Sequence, residues 1–192
     1  VFDLSLYKPT YVENWIEEVY QTNGILTPAD MDIERIAEVF GGKVVDTKAK
    51  SHVRWEDDED NFFVIFLNNA LDELSKRSDF HHELCHPLQH AGNQERIPEA
   101  FKELQERQAR TFQLYASIPF FMLRKLPIPQ YENEAIDVLS KEFRVPYELA
   151  AERLHQIRRR LLQVRLDIQF STYIQEEERK INGEMIRYKL ND

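Results

Sequence analysis

Cysteine is almost missing: Cys85 is the only one in 192 residues. One thiol cannot build a disulfide framework, and a lone thiol suits a reducing cytoplasm, which is the compartment expected here. Glycine is nearly as scarce, with five in the whole chain. That leaves little material for phosphate-cradling loops, and neither GxGxxG nor GxxxxGK[ST] occurs; a GxSxG nucleophile turn is also missing. Nucleotide-dependent and serine-hydrolase chemistry are set aside on that ground. No apolar run approaches membrane-spanning length, and the N-terminus lacks the basic-then-apolar layout of a signal peptide. Basic residues are in the minority, 25 against 34 acidic, for a formal charge of −9. A net negative surface disfavours nonspecific nucleic-acid binding and mildly favours a basic partner.

What is present is a soluble, foldable chain, 42% hydrophobic and 31% charged, long enough for a full core without staples. Thr10-Tyr11-Val12-Glu13 is a capping box, and Asn23-Gly24 a stop, so a first helix lies between them. Thr27-Pro28 is expected to open a second, with Ile33, Ile36, Ala37 and Phe40 on one face, ended by Gly41-Gly42. Three short strands follow at Lys43–Asp46, His52–Trp55 and Phe62–Leu67, with the acidic turn Glu56–Asp60 between the last two. They predict a small antiparallel sheet. Phe62–Leu67 is apolar on both faces and is expected to be the buried strand.

From Leu71 the pattern is helical. One helix is predicted up to Ala91-Gly92-Asn93, and another from Pro98 to Ala116. Pro127 and Pro129 mark a linker, beyond which Glu132–Phe143 and Pro146–Leu162 read as amphipathic helices. The tail from Arg165 is expected to be helical.

His82-Glu83-Leu84-Cys85-His86 carries the chemistry. Two histidines four apart share one helix face and can grip one ion. Glu83 beside them is placed to take a proton from an attacking water and pass it to a leaving amine. A catalytic zinc has three protein ligands and one open position. His90 lies about 12 Å of helix rise from His82, too far for the same tetrahedral site. The third ligand is therefore expected as a carboxylate on the next helix, where Glu99, Glu103 and Glu106 are the candidates. Cys85 reads as a buried thiol facing the core.

Phe80-His81-His82-Glu83-Leu84-Cys85-His86, then Glu106-Arg107-Gln108-Ala109-Arg110-Thr111-Phe112 and Ile118-Pro119, resemble the ImmA/IrrE metallopeptidases, closest to the ImmA anti-repressor branch. The resemblance spans roughly Asp30 to Pro119. It implies an α+β zincin-like fold: a small antiparallel sheet, the HExxH helix, a glutamate-ligand helix and a helical C-terminal part. With the break at Pro127 and Pro129, domains are expected at 1–126 (zincin-like peptidase) and 127–192 (helical, helix-turn-helix-like, packed on the peptidase). The resemblance also implies a zinc endopeptidase, with manganese or cobalt as alternatives, that cuts a helix-turn-helix repressor and so derepresses its genes.

In the resemblance His82, His86 and Glu106 are the metal ligands and Glu83 the catalytic base. Glu106 also lies off the apolar stripe Phe101, Leu104, Phe112 and Tyr115, and Ala109 one turn on is small enough to let two helices approach. Arg110 stands where the family has Asn or Asp. His90, Arg110 and Tyr115 are the candidates for residues that support the ligands, and His81 for an outer or surface position. Pro87 removes a hydrogen bond to the Glu83 carbonyl, so the metal helix is expected to kink or tighten just past His86.

Two rival readings remain. A zincin fold could disable a repressor by binding alone. Or the stretch Glu134–Leu161, which resembles a helix-turn-helix, could bind DNA with Arg158-Arg159-Arg160 on phosphates. The acidic balance favours a protein partner.

Overall fold

The computed structural model describes residues 4–55, 62–90 and 98–189, with side chains through Ile181. Residues 9–154 form one compact unit; residues 4–8 and 155–189 form a second.

Helix α1, Tyr11–Thr22, starts at the anticipated capping box. The Thr10 hydroxyl accepts from the Glu13 N–H at 3.1 Å, and the Glu13 carboxylate accepts from the Thr10 N–H at 2.8 Å. Gly24 follows at φ +71, a conformation only glycine adopts without strain. Thr27-Pro28 opens no long helix. The Asp30 carboxylate folds back onto the Leu26 and Thr27 N–H groups, closing a single 3₁₀ turn, Pro28–Asp30. Asp32 then caps α2, Ile33–Val39.

The sheet comprises β1 (Gly42–Thr47), β2 (His52–Trp55) and β3 (Phe63–Asn68), in the spatial order β1-β3-β2. The α+β class stands, but the pairing is mixed: β2 is antiparallel to β3, while β1 is parallel to it. The reason lies in composition. Phe63, Ile65 and Leu67 are fully buried, and Val64 and Phe66 partly so, so β3 takes the centre and its two neighbours become edges. At Gly42 a Cβ would sit inside the Phe63 ring, which is why a glycine begins β1. The acidic turn Glu56–Asp60 lies outside the described residues.

Helix α3, Glu73–Gln89, is capped by Asp72, whose carboxylate accepts from the Ser75 N–H at 2.9 Å. It runs only two residues past Pro87, and His90 is already extended. The predicted stop at Ala91-Gly92-Asn93 lies outside the described residues. Helix α4, Glu99–Ser117, packs along α3. Ala109 is fully buried on α4, as expected of the small residue there. Gln113 donates to the Ser78 carbonyl at 2.8 Å and lies 2.9 Å from its hydroxyl, tying α4 to α3 by bonds worth ~1 kcal/mol each.

The expected apolar stripe on α4 holds only in its second half. Phe112 and Tyr115 are buried, but Phe101 and Leu104 are exposed, and the first half buries Gln105 instead. Periodicity alone therefore does not bury Phe101 and Leu104.

A one-turn helix, α5 (Phe120–Leu123), was not anticipated, because four consecutive apolar residues carry no period. Helix α6 spans Glu132–Phe143, as predicted, and α7 runs from Tyr147 to Lys189. Between them Arg144 takes φ 52, and its guanidinium donates to the Met31 carbonyl at 3.3 Å. Helix α6 and the first turns of α7 thus belong to the same compact unit as the sheet. Within that unit Arg153, fully buried, donates to Glu13 at 2.7 Å and to the Ile118 carbonyl at 3.2 Å, and lies over the Tyr115 ring.

Candidate metal centre

Helix α3 presents His82 and His86 on one face because they lie four residues apart; their rings meet edge-on with centroids 5.4 Å apart. Helix α4 brings Glu106 across to them. Its Oε2 is 3.1 Å from His82 Nε2, and its Oε1 is 3.8 Å from His86 Nε2. One ligand atom from each residue can be chosen so that all lie within 4.8 Å of one another. A tetrahedral zinc at ~2.0–2.1 Å from its ligands would hold them roughly 3.4 Å apart, so this donor set fits such an ion. Two imidazoles and a carboxylate are zinc donors, and the exposure of Glu106 leaves that side open to solvent.

The electrostatics keep the set ready to bind a cation. Burial, reinforced by His82 and His90, pushes His86 down to about 3, so its ring is neutral and a ring nitrogen can act as a ligand. Glu83 moves the other way. Burial, with the negative charges of Asp79 and Glu106, raises its carboxyl to about 7, against the pull of Lys50 and a hydrogen bond from the Val53 N–H. A carboxyl poised near neutrality is suited to exchanging a proton with a reactant. Val53 belongs to β2, so Glu83 lies beside an edge strand of the sheet.

His90 is the neighbour of His86 on the far side from Glu106, with Nδ1 3.1 Å from His86 Nδ1. Burial lowers its pKa, while the Gln108 side chain and Glu106 oppose that. The two other residues named as supports lie elsewhere. Arg110 is turned to Glu152, with Nε 3.0 Å from the carboxylate. Tyr115 sits under Arg153, nine residues along α4 from Glu106. His81 is no surface residue: it is fully buried, 2.7 Å from the Arg77 carbonyl, and burial pushes it down to about 3.

Cys85 is buried, as expected, and burial pushes its thiol up to about 12. Glu99 and Glu103 stay on the exposed face, beside Lys102 and Arg107 of their own helix. Lys50, Val53 and Asp79 were missed in the sequence. Asp79 lies four residues before Glu83 and could have been found by helical spacing; Lys50 and Val53 come from the strand region and leave no local signal.

The model of the IrrE N-terminal-like domain, a peptidase family, matches residues 37–155. The chain is 33% identical over 152 residues to the phage-like element PBSX protein XkdA of Bacillus subtilis, covering 79% of this chain and 75% of that one. It is 29% identical over 161 residues to YqaB of the same organism, covering 82% and 90%. A solved Mycobacterium tuberculosis transcriptional regulator superposes with a TM-score of 0.48 at 16% identity, over 74% of this chain but under half (46%) of that one. With most of the chain matched by the family model and its two histidines and glutamate brought together, this protein belongs to the ImmA/IrrE family of metallopeptidases.

Proposed function

We propose that the chain is a zinc endopeptidase that cuts a helix-turn-helix repressor at one site and so releases the genes it holds off. One observation carries this reading: Glu83 adjoins the His82–His86–Glu106 cluster and accepts from the Val53 N–H of the edge strand β2. His82, His86 and Glu106 hold the metal. Zinc, when bound, supplies a Lewis acid that acidifies water and polarises a carbonyl.

The rest is done by the chain. Among the described residues the outer side of β2 pairs with no strand, and its backbone groups other than the Val53 N–H are offered to an extended substrate segment, which aligns one peptide bond beside Glu83. Glu83 takes the proton of the attacking water and returns it to the leaving amine. The central strand β3 cannot serve as the docking edge, since both of its sides are taken. The likeness to a protein of a phage-like element supports a mobile-element repressor as the substrate. We place enzyme and substrate in the cytoplasm; no helix among the described residues is long and apolar enough to cross a membrane.

The test uses Glu83→Gln, in a reporter strain under a candidate repressor, with an immunoblot of that repressor. Gln keeps the shape but cannot take the proton. Cleavage is expected to fall by ~10²–10⁴-fold, in turnover more than in binding. Full derepression with the repressor intact would sink the peptidase mechanism and leave a sequestering protein in its place.

A further inference from the structure

Between Leu162 and Ile181 helix α7 runs without burying a side chain. Every side chain in that stretch is at least partly exposed, and the segment is about 30 Å long. Yet it is not a polar helix. Leu162, Leu166, Phe170, Tyr173, Ile174 and Ile181 are 39 to 66% exposed, and their spacing places all six on one face. A lone helix of this length is marginal in water, and an apolar stripe of this extent calls for a cover.

The charges say what covers it. Arg159 and Glu177 lie on the same stripe, each nine residues from Ile168, one on either side. The stripe has the same mirror symmetry about that point: Leu162 matches Ile174, Gln163 matches Tyr173, and Leu166 matches Phe170. Laid antiparallel against its own copy, the face sets Leu162 on Ile174, Leu166 on Phe170, Tyr173 against Gln163 and each Arg159 opposite a Glu177. Laid parallel, it sets Arg159 on Arg159 and Glu177 on Glu177. Glu177 now contacts Lys180 at 2.7 Å, an exposed pair of little worth that yields readily to an interchain one. Glu176, Glu177 and Glu178 also make the stripe a poor match for an anionic lipid surface.

We propose that residues 159–177 of α7 pair antiparallel with the same segment of a second copy, forming a two-fold dimer whose axis crosses the helix at the level of Ile168. Such an interface is isologous and closes on itself.

Sedimentation equilibrium on the full chain tests this. The wild type is expected to be a dimer. Phe170→Asp should give a monomer in which the peptidase unit melts as before. Arg159→Glu and Glu177→Arg should each weaken the dimer by on the order of tenfold, because each sets like charges face to face. The combined variant should recover it. A wild type that stays monomeric at its highest soluble concentration overturns the proposal, even if Phe170→Asp then loses binding to a repressor or to vesicles. A dimer untouched by Phe170→Asp overturns it as well. Failure of the combined variant to recover rules out the antiparallel register.

Discussion

The ring of His90 lies 3.1 Å from that of His86, Nδ1 to Nδ1, so His86 is held from behind while its Nε2 faces Glu106. With Nε2 as the ligand atom, His86 carries its proton on Nδ1 and donates it to His90. Partners of this kind fix the orientation of a ligating imidazole. His90→Ala is expected to weaken metal binding by ~10–100-fold while the fold survives, and His90→Gln, which keeps an acceptor, should recover part of it. Competition with a chromophoric chelator measures both. Unchanged affinity in His90→Ala would remove His90 from the site.

Glu106 and Glu103 are one helical turn apart, yet only Glu106 meets the histidines; Glu103 lies 4.0 Å from Arg107 on the exposed face. Glu106→Ala should strip most of the metal from the purified protein, and Glu103→Ala should leave about one ion per chain. Elemental analysis of the two variants decides, and equal loss in both would exclude Glu106 as the third ligand.

The pair of Arg153 and Glu13 is buried on both sides. Removing one partner of a buried pair costs about 3–5 kcal/mol, because the other charge is stranded. Arg153→Ala should lower the melting temperature by many degrees, although the substitution touches no residue of the metal cluster. Calorimetry checks this; a shift within that of a surface substitution would show the pair to be dispensable.

At the start of α3, the Ser75 N–H and hydroxyl hold the Asp72 carboxyl below its usual value. The sign follows: stability from this cap is fully present above the ordinary aspartate range, near ~4, and is lost as pH falls through the depressed value. The melting-temperature gap between wild type and Asp72→Ala should therefore be full at neutral pH and shrink in acid. A gap that stays constant down to strongly acidic pH contradicts this.

Of the three consecutive arginines on α7, Arg160 is already engaged within its own unit, 2.7 Å from the Tyr7 hydroxyl and 2.7 Å from the Lys8 carbonyl. Together with the net charge, this leads us to expect no tight duplex binding. A mobility-shift titration at low salt is the check. Micromolar affinity that weakens steeply with salt would reinstate the DNA-binding reading.

What was legible in the sequence was what spacing and capping decide. The Thr10–Glu13 box, the boundaries of α6 and the shared face of His82 and His86 follow from local rules, and the structure contains each of them. What escaped depends on residues far apart in the chain. The parallel pairing of β1 with β3 arises because β3 inserts between two strands that precede it, which no local pattern encodes. The short turn at Pro28 was misread because Thr27 and Asp30 form the capping box of a helix start, while Asp32 two residues on caps the chain afresh and begins α2 there. Burial of His81 and exposure of Phe101 depend on what packs over α3 and α4, which spacing along one helix does not encode.

The bond between Glu13 and Arg153 joins positions 140 residues apart. During synthesis at ~5–20 residues per second, α1 waits roughly 7–28 s before the guanidinium that meets Glu13 has even been made. The strands and both helices of the metal cluster are complete well before that moment. The newborn chain thus carries its cluster residues ahead of the clasp that completes the core around them, and nascent chains stalled before Arg153 should be far more open to proteolysis than those released after it.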